Sequence, residues 1–260
     1  MAIGHLIHGN GPVHGVVIHG WFYDWRVFEP MLPALDPGVF TLAFMDCRGY
    51  GASKQVGGPY NVDTIAADAL ELAEYLRWDR CSLVGHSMGG KAALRAAALQ
   101  PERVEAILAL TPVWAGAAPF DAQTLAFFRN AVRNVDGRAA ILANGGKGEV
   151  PGAWARWMAQ KSDEVSTRDA FGGYLESWAT DDFSDEVRHL PQQVLAVAGE
   201  FDVGVPPAAI QSTWIANLKN AQMQVLDDCG HYPMVERPLA LARVFEQFFE
   251  KPHRADPSGR

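Results

Sequence analysis

The 260-residue chain is 48% hydrophobic and 20% charged, the composition of a folded globular protein with material for a sizeable core, which excludes wholesale disorder. Its 30 acidic and 22 basic side chains leave a formal charge of -8, which repels phosphate backbones and anionic lipid surfaces, so neither nucleic acid nor membrane is expected as a partner. Three cysteines cannot all pair and are too few to staple such a chain; reduced thiols and a cytoplasmic location are expected, with no signal peptide and no bilayer-spanning run.

In chain order, apolar runs rich in β-branched residues at 13–19 and 40–46 predict two strands. Ile65, Ala69, Leu72 and Leu76 then recur at helical spacing behind the capping candidates Asn61 and Asp63, which predicts an amphipathic helix of about four turns. A strand at 81–85 is followed by an alanine-rich, charge-poor stretch at 88–99 that suits a helix packed closely on a sheet, and Pro101 marks its end. After a strand at 104–110, residues 114–189 break the alternation: they carry Gly145-Gly146, Gly172-Gly173 and many aromatic residues but no strand pattern. They read as an inserted helical cap on a core formed by 1–113 and 190–250. Strands at 193–199 and 221–226 resume the pattern. Pro238 then opens a C-terminal helix with Leu241, Val244, Phe245 and Phe248 on its apolar face, and a flexible polar tail is expected over 251–260. Strands that are mostly near-continuous apolar runs and alternate with helices predict an α/β fold with a mostly parallel central sheet flanked by helices. No internal repeat is present.

The chemistry concentrates where strands end. Ser87 stands between Gly85 and Gly89, directly after a buried strand and before the alanine-rich helix, where only small flanking residues allow a sharp strand-to-helix turn. A serine hydroxyl is a weak nucleophile until a base takes its proton. His231 follows the last strand, on the sheet edge that also carries Ser87, and is the candidate base. Asp202 ends the preceding strand and is the candidate acid, with Asp227 and Asp228 as rivals nearer to His231 in sequence. An oxyanion would need two backbone N–H donors, from Met88 after the nucleophile and from Trp21 in His19-Gly20-Trp21-Phe22, where Gly20 permits a tight turn. His86 reads as a side chain buried near the sheet rather than as a triad member.

Four motifs carry a family resemblance in order and spacing: His19-Gly20-Trp21; Asp46-Cys47-Arg48-Gly49-Tyr50-Gly51-Ala52-Ser53; Gly85-His86-Ser87-Met88-Gly89-Gly90; and Gly230-His231 followed by Glu236-Arg237-Pro238. The chain resembles the α/β-hydrolase superfamily over nearly its whole length, and the order serine, aspartate, histidine is that of this fold. The resemblance implies the catalytic residues Ser87, Asp202 and His231 and a structural role for the Asp46 to Ser53 turn. Small esterases, enol-lactonases and cofactor-free perhydrolases share these motifs. Serine at 87 argues against the dehalogenase and epoxide hydrolase branches, which use aspartate there. With about a dozen residues before Val13, the start of the sheet reads as truncated.

The expectation is therefore a serine hydrolase acting through an acyl-enzyme on a small, uncharged, partly apolar carboxylic ester, without metal or organic cofactor. Lactone hydrolysis and perhydrolysis use the same triad, and a ligand receptor on this scaffold is the non-enzymatic alternative; such a receptor has no need of an intact triad and oxyanion loop. His5, His8, His14 and His19 match no metal-ligand spacing. Cys229 is too close to His231 along the chain to face it as a nucleophile. Phe127, Phe128, Trp154, Trp157, Met158, Phe171, Tyr174 and Trp178 are expected mainly to pack the cap, with a fraction roofing the pocket. Trp21, Phe22, Trp154 and Trp178 are the candidates for substrate contact. A small-molecule substrate and a monomer or homodimer complete the expectation.

Overall fold

The six apolar runs all form strands, with ends within one residue of those expected, in a computed structural model that describes residues 3–145 and 150–249. They are β2 (Val13–Ile18), β3 (Phe40–Met45), β4 (Cys81–His86), β5 (Val104–Leu110), β6 (Gln193–Gly199) and β7 (Ala221–Leu226). A seventh, β1 (His5–Gly9), pairs antiparallel with β3 and is the single strand before Val13. Its sequence, His-Leu-Ile-His-Gly, is half-buried along an edge, so the long apolar run that marks a buried parallel strand is missing. The sheet order is β1-β3-β2-β4-β5-β6-β7, parallel from β3 onward.

The helices follow from caps and apolar spacing. Asn61 caps α1 (Val62–Tyr75) by accepting from the Thr64 amide, while Asp63 lies in the first turn. The alanine-rich run forms α2 (Met88–Leu99), buried against β4 and β5. The β2-to-β3 connection runs opposite to the later crossovers. Right-handed crossovers therefore place its 3-10 stretch, Trp25–Ala34, on the face opposite α1 and α2. Between β5 and β6 the described chain makes α3 (Ala122–Asn130), α4 (Val135–Ala143), α5 (Gly152–Val165), α6 (Arg168–Thr180) and the short α7 (Ser184–Val187), and no strand. Three further helices follow: α8 (Pro207–Ile210), α9 (Pro233–Glu236) and α10 (Pro238–Phe249), the last packed on the 3-10 stretch. The expected tail at 251–260 lies outside the described residues, as does Gly146. Among the described residues no helix is long and apolar enough to cross a membrane.

This topology fixes where chemistry can sit. The chain leaves β2 toward one sheet edge and returns to β4 on its other side, so the loops at the carboxyl ends of β2 and β4 diverge around a crevice. Trp21 and Ser87 occupy those two loops.

Candidate active site

Strand β4 ends at His86 and helix α2 starts at Met88, so the whole turn falls on Ser87. Its φ of 52° and ψ of -113° are in the left-handed half of backbone space, where a non-glycine residue carries strain of about 1–3 kcal/mol. The neighbours explain how the turn closes. A Cβ on Gly85 would lie 2.2 Å from the Gly89 carbonyl oxygen, and one on Gly89 would lie 2.5 Å from that of Ile18. The Ser87 amide donates to the Leu110 carbonyl at 2.9 Å, and its carbonyl accepts from the Val113 amide at 3.1 Å.

His231, in the loop after β7, brings Nε2 to 3.0 Å from Ser87 Oγ, and its Nδ1 lies 2.7 Å from Asp202 Oδ2. Asp202 follows β6 with its side chain fully buried, and its other carboxylate oxygen accepts from the Val205 amide at 2.9 Å. An Nδ1–H donated to Asp202 leaves the Nε2 lone pair facing the serine hydroxyl. Asp227 and Asp228 are exposed, and Asp228 approaches Arg237 at 3.7 Å.

Three residues outside the triad hold the histidine's main chain; of these His86 is buried near the sheet, as expected, and sequence reasoning gives Thr111 and Glu236 no role. Its carbonyl accepts from His86 Nε2–H at 2.9 Å and from Thr111 Oγ1–H at 3.0 Å. The Glu236 carboxylate accepts the flanking amides of Gly230 at 2.6 Å and Tyr232 at 2.8 Å. Thr111 is buried with φ 41°, an outlier for a β-branched residue. Glu236 stood in a quoted motif, but only the fold brings its carboxylate around His231.

Burial pushes the His231 imidazolium down, but the Asp202 charge and hydrogen bond, supplemented by Glu236, outweigh it, and the net shift is upward. Burial, with the adjacent His231, pushes His86 well below the ordinary imidazole range, so His86 is neutral. Burial raises the Cys229 thiol to about 12, which keeps it protonated at neutral pH. The four early histidines have separate surroundings: His5 bonds the Ile3 carbonyl, His8 that of Leu35, His14 stacks on Trp78, and His19 serves the loop after β2.

That loop is tied at several points. His19 accepts the Cys47 amide on Nε2 at 3.0 Å and donates Nδ1–H to the Gly20 carbonyl at 2.7 Å. The Tyr50 hydroxyl donates to the Trp21 carbonyl at 2.7 Å, and the Trp21 indole N–H donates to the Phe171 carbonyl at 2.7 Å. Gly20 is needed for room rather than for an unusual dihedral, because a Cβ there would meet His86 Nδ1 at 2.6 Å. Among the described residues neither the Trp21 amide nor the Met88 amide donates to another protein group, leaving two free N–H donors near Ser87.

A cavity of about 320 Å³ opens on Ser87 and His231. Trp21, Phe22, Val113, Phe120, Phe127, Phe128, Ile141, Leu142, Trp178, Val203, Val205 and Tyr232 form most of its wall, and apart from the imidazoles of His86 and His231 no ionisable side chain of the described residues joins them. Of the expected contact residues, Trp21, Phe22 and Trp178 line it. Trp154 does not. Helix α5 buries Ala155, Met158, Ala159 and Ser162 as it packs on α4, which leaves Trp154 at its margin, edge-on to Tyr232 with ring centroids 5.2 Å apart. Phe171 lies behind the wall, stacked on Trp21 at 4.1 Å. Val203 and Val205 were missed, although their position beside Asp202 was a usable signal; Phe120, Ile141 and Leu142 carry none.

Comparison with known proteins agrees with this fold. A family model described as the alpha/beta hydrolase fold matches residues 16–238. A pimeloyl-[acyl-carrier protein] methyl ester esterase of Klebsiella pneumoniae is 29% identical over 245 residues, covering 89% of this chain and 91% of that protein. Among solved structures, a bromoperoxidase from Bacillus anthracis superimposes with a TM-score of 0.84 at 21% identity, covering 95% of this chain and 94% of the other. A hydrolase from Oleispira antarctica does so with a TM-score of 0.86 at 17% identity, covering 96% and 95%; at such identities the likeness is one of fold.

Proposed function

The chain belongs to the alpha/beta hydrolase family, and from that premise we propose that it is a serine hydrolase that cleaves small, uncharged carboxylic esters with an apolar acyl group. The observation that carries this reading is the line from Ser87 Oγ to His231 Nε2 to Asp202, with contacts of 3.0 and 2.7 Å, at the floor of an apolar cavity. Ser87 Oγ attacks the ester carbonyl as its proton passes to His231 Nε2. The negative charge that develops on the carbonyl oxygen is held by the Trp21 and Met88 amides. Collapse of the tetrahedral species expels the alcohol, which takes the proton from His231 and leaves the acyl group on Ser87. Water then attacks the acyl-enzyme, again giving its proton to His231, and the acid departs as the bond to Ser87 Oγ breaks and His231 returns the proton to Oγ. The Klebsiella relative is named for hydrolysis of a methyl ester, which supports the ester bond as the target. A wall without charged groups disfavours an ionised acyl chain, since a charge buried there would be unpaired.

Turnover of p-nitrophenyl esters of graded acyl length, with lactones and a peroxide acceptor alongside, tests the reading. Preference for apolar acyl groups over a dicarboxylic half-ester is expected; preference for the charged substrate contradicts it. Phe128→Ala should change kcat/KM unequally across the series, each mismatched methylene being worth about 1–3 kcal/mol. Trp154→Ala, outside the wall, should scale all substrates alike.

The upward shift of His231 sets the pH dependence. Below its pKa the imidazolium cannot accept the serine proton, so kcat/KM falls as pH drops through a value above the ordinary 6.5. Glu236→Gln removes one charge that favours the imidazolium and gives the Gly230 and Tyr232 amides one carbonyl oxygen in place of two carboxylate oxygens. The acid limb should move to lower pH, and kcat should fall by up to about 100-fold as His231 loses its placement. An unmoved limb would reduce Glu236 to a loop brace.

A further inference from the structure

Lys91 is wholly buried, one turn beyond Ser87 on α2, and the reaction has no use for its amine. Its three N–H donors meet three main-chain carbonyls of the segment between β5 and β6: Gly116 at 3.0 Å, Trp178 at 3.1 Å and Asp181 at 2.6 Å. Trp178 and Asp181 lie at the carboxyl end of α6, where carbonyls have no helical partner and the helix dipole favours a cation. Gly116 belongs to the strand-free chain leaving β5. Trp178 is also a wall of the cavity. We infer that Lys91 is a positioning residue for substrate selection, its ammonium fixing the Trp178 wall to the helix that carries the nucleophile. The inference rests on the reading that the acyl group occupies this cavity.

The charge itself is a costly way to fill this place. Burial lowers its pKa from 10.5 to about 8, against the opposing charges of Asp181 and Asp182. Asp181 accepts a hydrogen bond from Ser177, and Asp182 accepts the Ser184 amide. The other facing groups are the Phe183 ring, 5.6 Å from the ammonium, and Arg95 one turn along α2, which is occupied by Asp63 and Glu186. A lysine whose folded pKa lies below its unfolded one binds fewer protons when folded. Its contribution to stability therefore rises with pH across the interval from about 8 to 10.5, and at neutral pH the charge is a cost. A methionine of similar volume avoids that cost but leaves the Gly116, Trp178 and Asp181 carbonyls without their donor. What the ammonium supplies is three directed donors that hold two segments at one place.

The test compares wild type, K91M, W178A and the double variant. Each is assayed for kcat and KM on acetyl to octanoyl p-nitrophenyl esters, for the rate of labelling by a small fluorophosphonate, and for melting temperature at pH 7. K91M should stay folded at pH 7, with a lower melting temperature because three carbonyls lose their donor, and should label within about twofold of wild type. It should lose about tenfold or more in kcat/KM on the longer acyl chains, through KM, as expected when a wall shifts by a fraction of an ångström. In the W178A background K91M should add no further change in chain-length preference, because the two act through one wall. An unchanged preference, an equal loss on all esters or full additivity with W178A overturns the inference while leaving the hydrolase reading intact. Failure of wild type to label or turn over removes both. If K91M does not fold, K91Q, whose amide keeps two N–H donors, replaces it, and a loss of preference is again expected.

Discussion

Ser87→Ala should lower kcat for every ester by about 10⁶-fold, the typical loss when the nucleophile of a serine–histidine unit is removed. The magnitude follows from the geometry. His231 stays oriented by Asp202, and the amides of Trp21 and Met88 stay free, yet nothing remains 3.0 Å from Nε2 to attack. Alanine keeps the Cβ and the backbone strain at φ 52°, and Gly85 and Gly89 still allow the turn to close. The substitution removes a single, partly exposed hydrogen bond, so the melting temperature should be nearly unchanged. Steady-state release of p-nitrophenol, read beside a thermal melt, checks both parts. A variant with a tenth of the wild-type kcat and an intact fold would mean that Ser87 does not attack.

Asp202→Asn should cost about 10⁴ in kcat. The carboxylate uses both oxygens, one for the Val205 amide at 2.9 Å and one for His231 Nδ1 at 2.7 Å. A carboxamide offers one oxygen and one NH₂ group. If the oxygen stays with Val205, the NH₂ faces Nδ1, which must become the acceptor, and the imidazole proton moves to Nε2. The base then presents a hydrogen to Ser87 instead of a lone pair. If the amide flips, the NH₂ group faces the Val205 N–H, which loses its acceptor. Any residual activity should have its acid limb at lower pH, because the Asp202 charge is what raises His231. Asp228→Asn, exposed near Arg237, should stay close to wild type. Comparable losses at 202 and 228 would move the assignment of the acid.

Much of this was legible in the sequence, for reasons that differ by element. Buried parallel strands write themselves as near-continuous apolar runs, and most of the six found do so, β7 at the far edge being the mixed one, whereas the edge strand His5–Gly9 mixes polar and apolar residues and was not found. Ser87, Asp202 and His231 stand at strand ends in a fixed order, so a linear reading reaches them, and the fold brings the three into one hydrogen-bonded line. The hold on His231 was not readable: Thr111 comes from the end of β5, His86 from β4 and Glu236 from α9, and no spacing announces that they converge. The aromatic residues between β5 and β6 were visible as a set, but which of them face the cavity depends on how α5 lies against α4, and that misplaced Trp154. Lys91 had no signal at all, because one lysine in an alanine-rich helix reads as its solvent-facing residue.

The central claim is that Ser87 is a hydroxyl activated for attack by His231. The measurement that addresses it most directly is the mass of the intact protein after treatment with a fluorophosphonate, followed by peptide mapping of the adduct. The hydroxyl displaces fluoride and the phosphorus stays on oxygen. The account predicts one adduct per chain, on Ser87, formed at a rate that falls as pH drops through the His231 pKa and absent in Ser87→Ala. An adduct on another residue, or a wild-type chain that stays unmodified while folded, would contradict it.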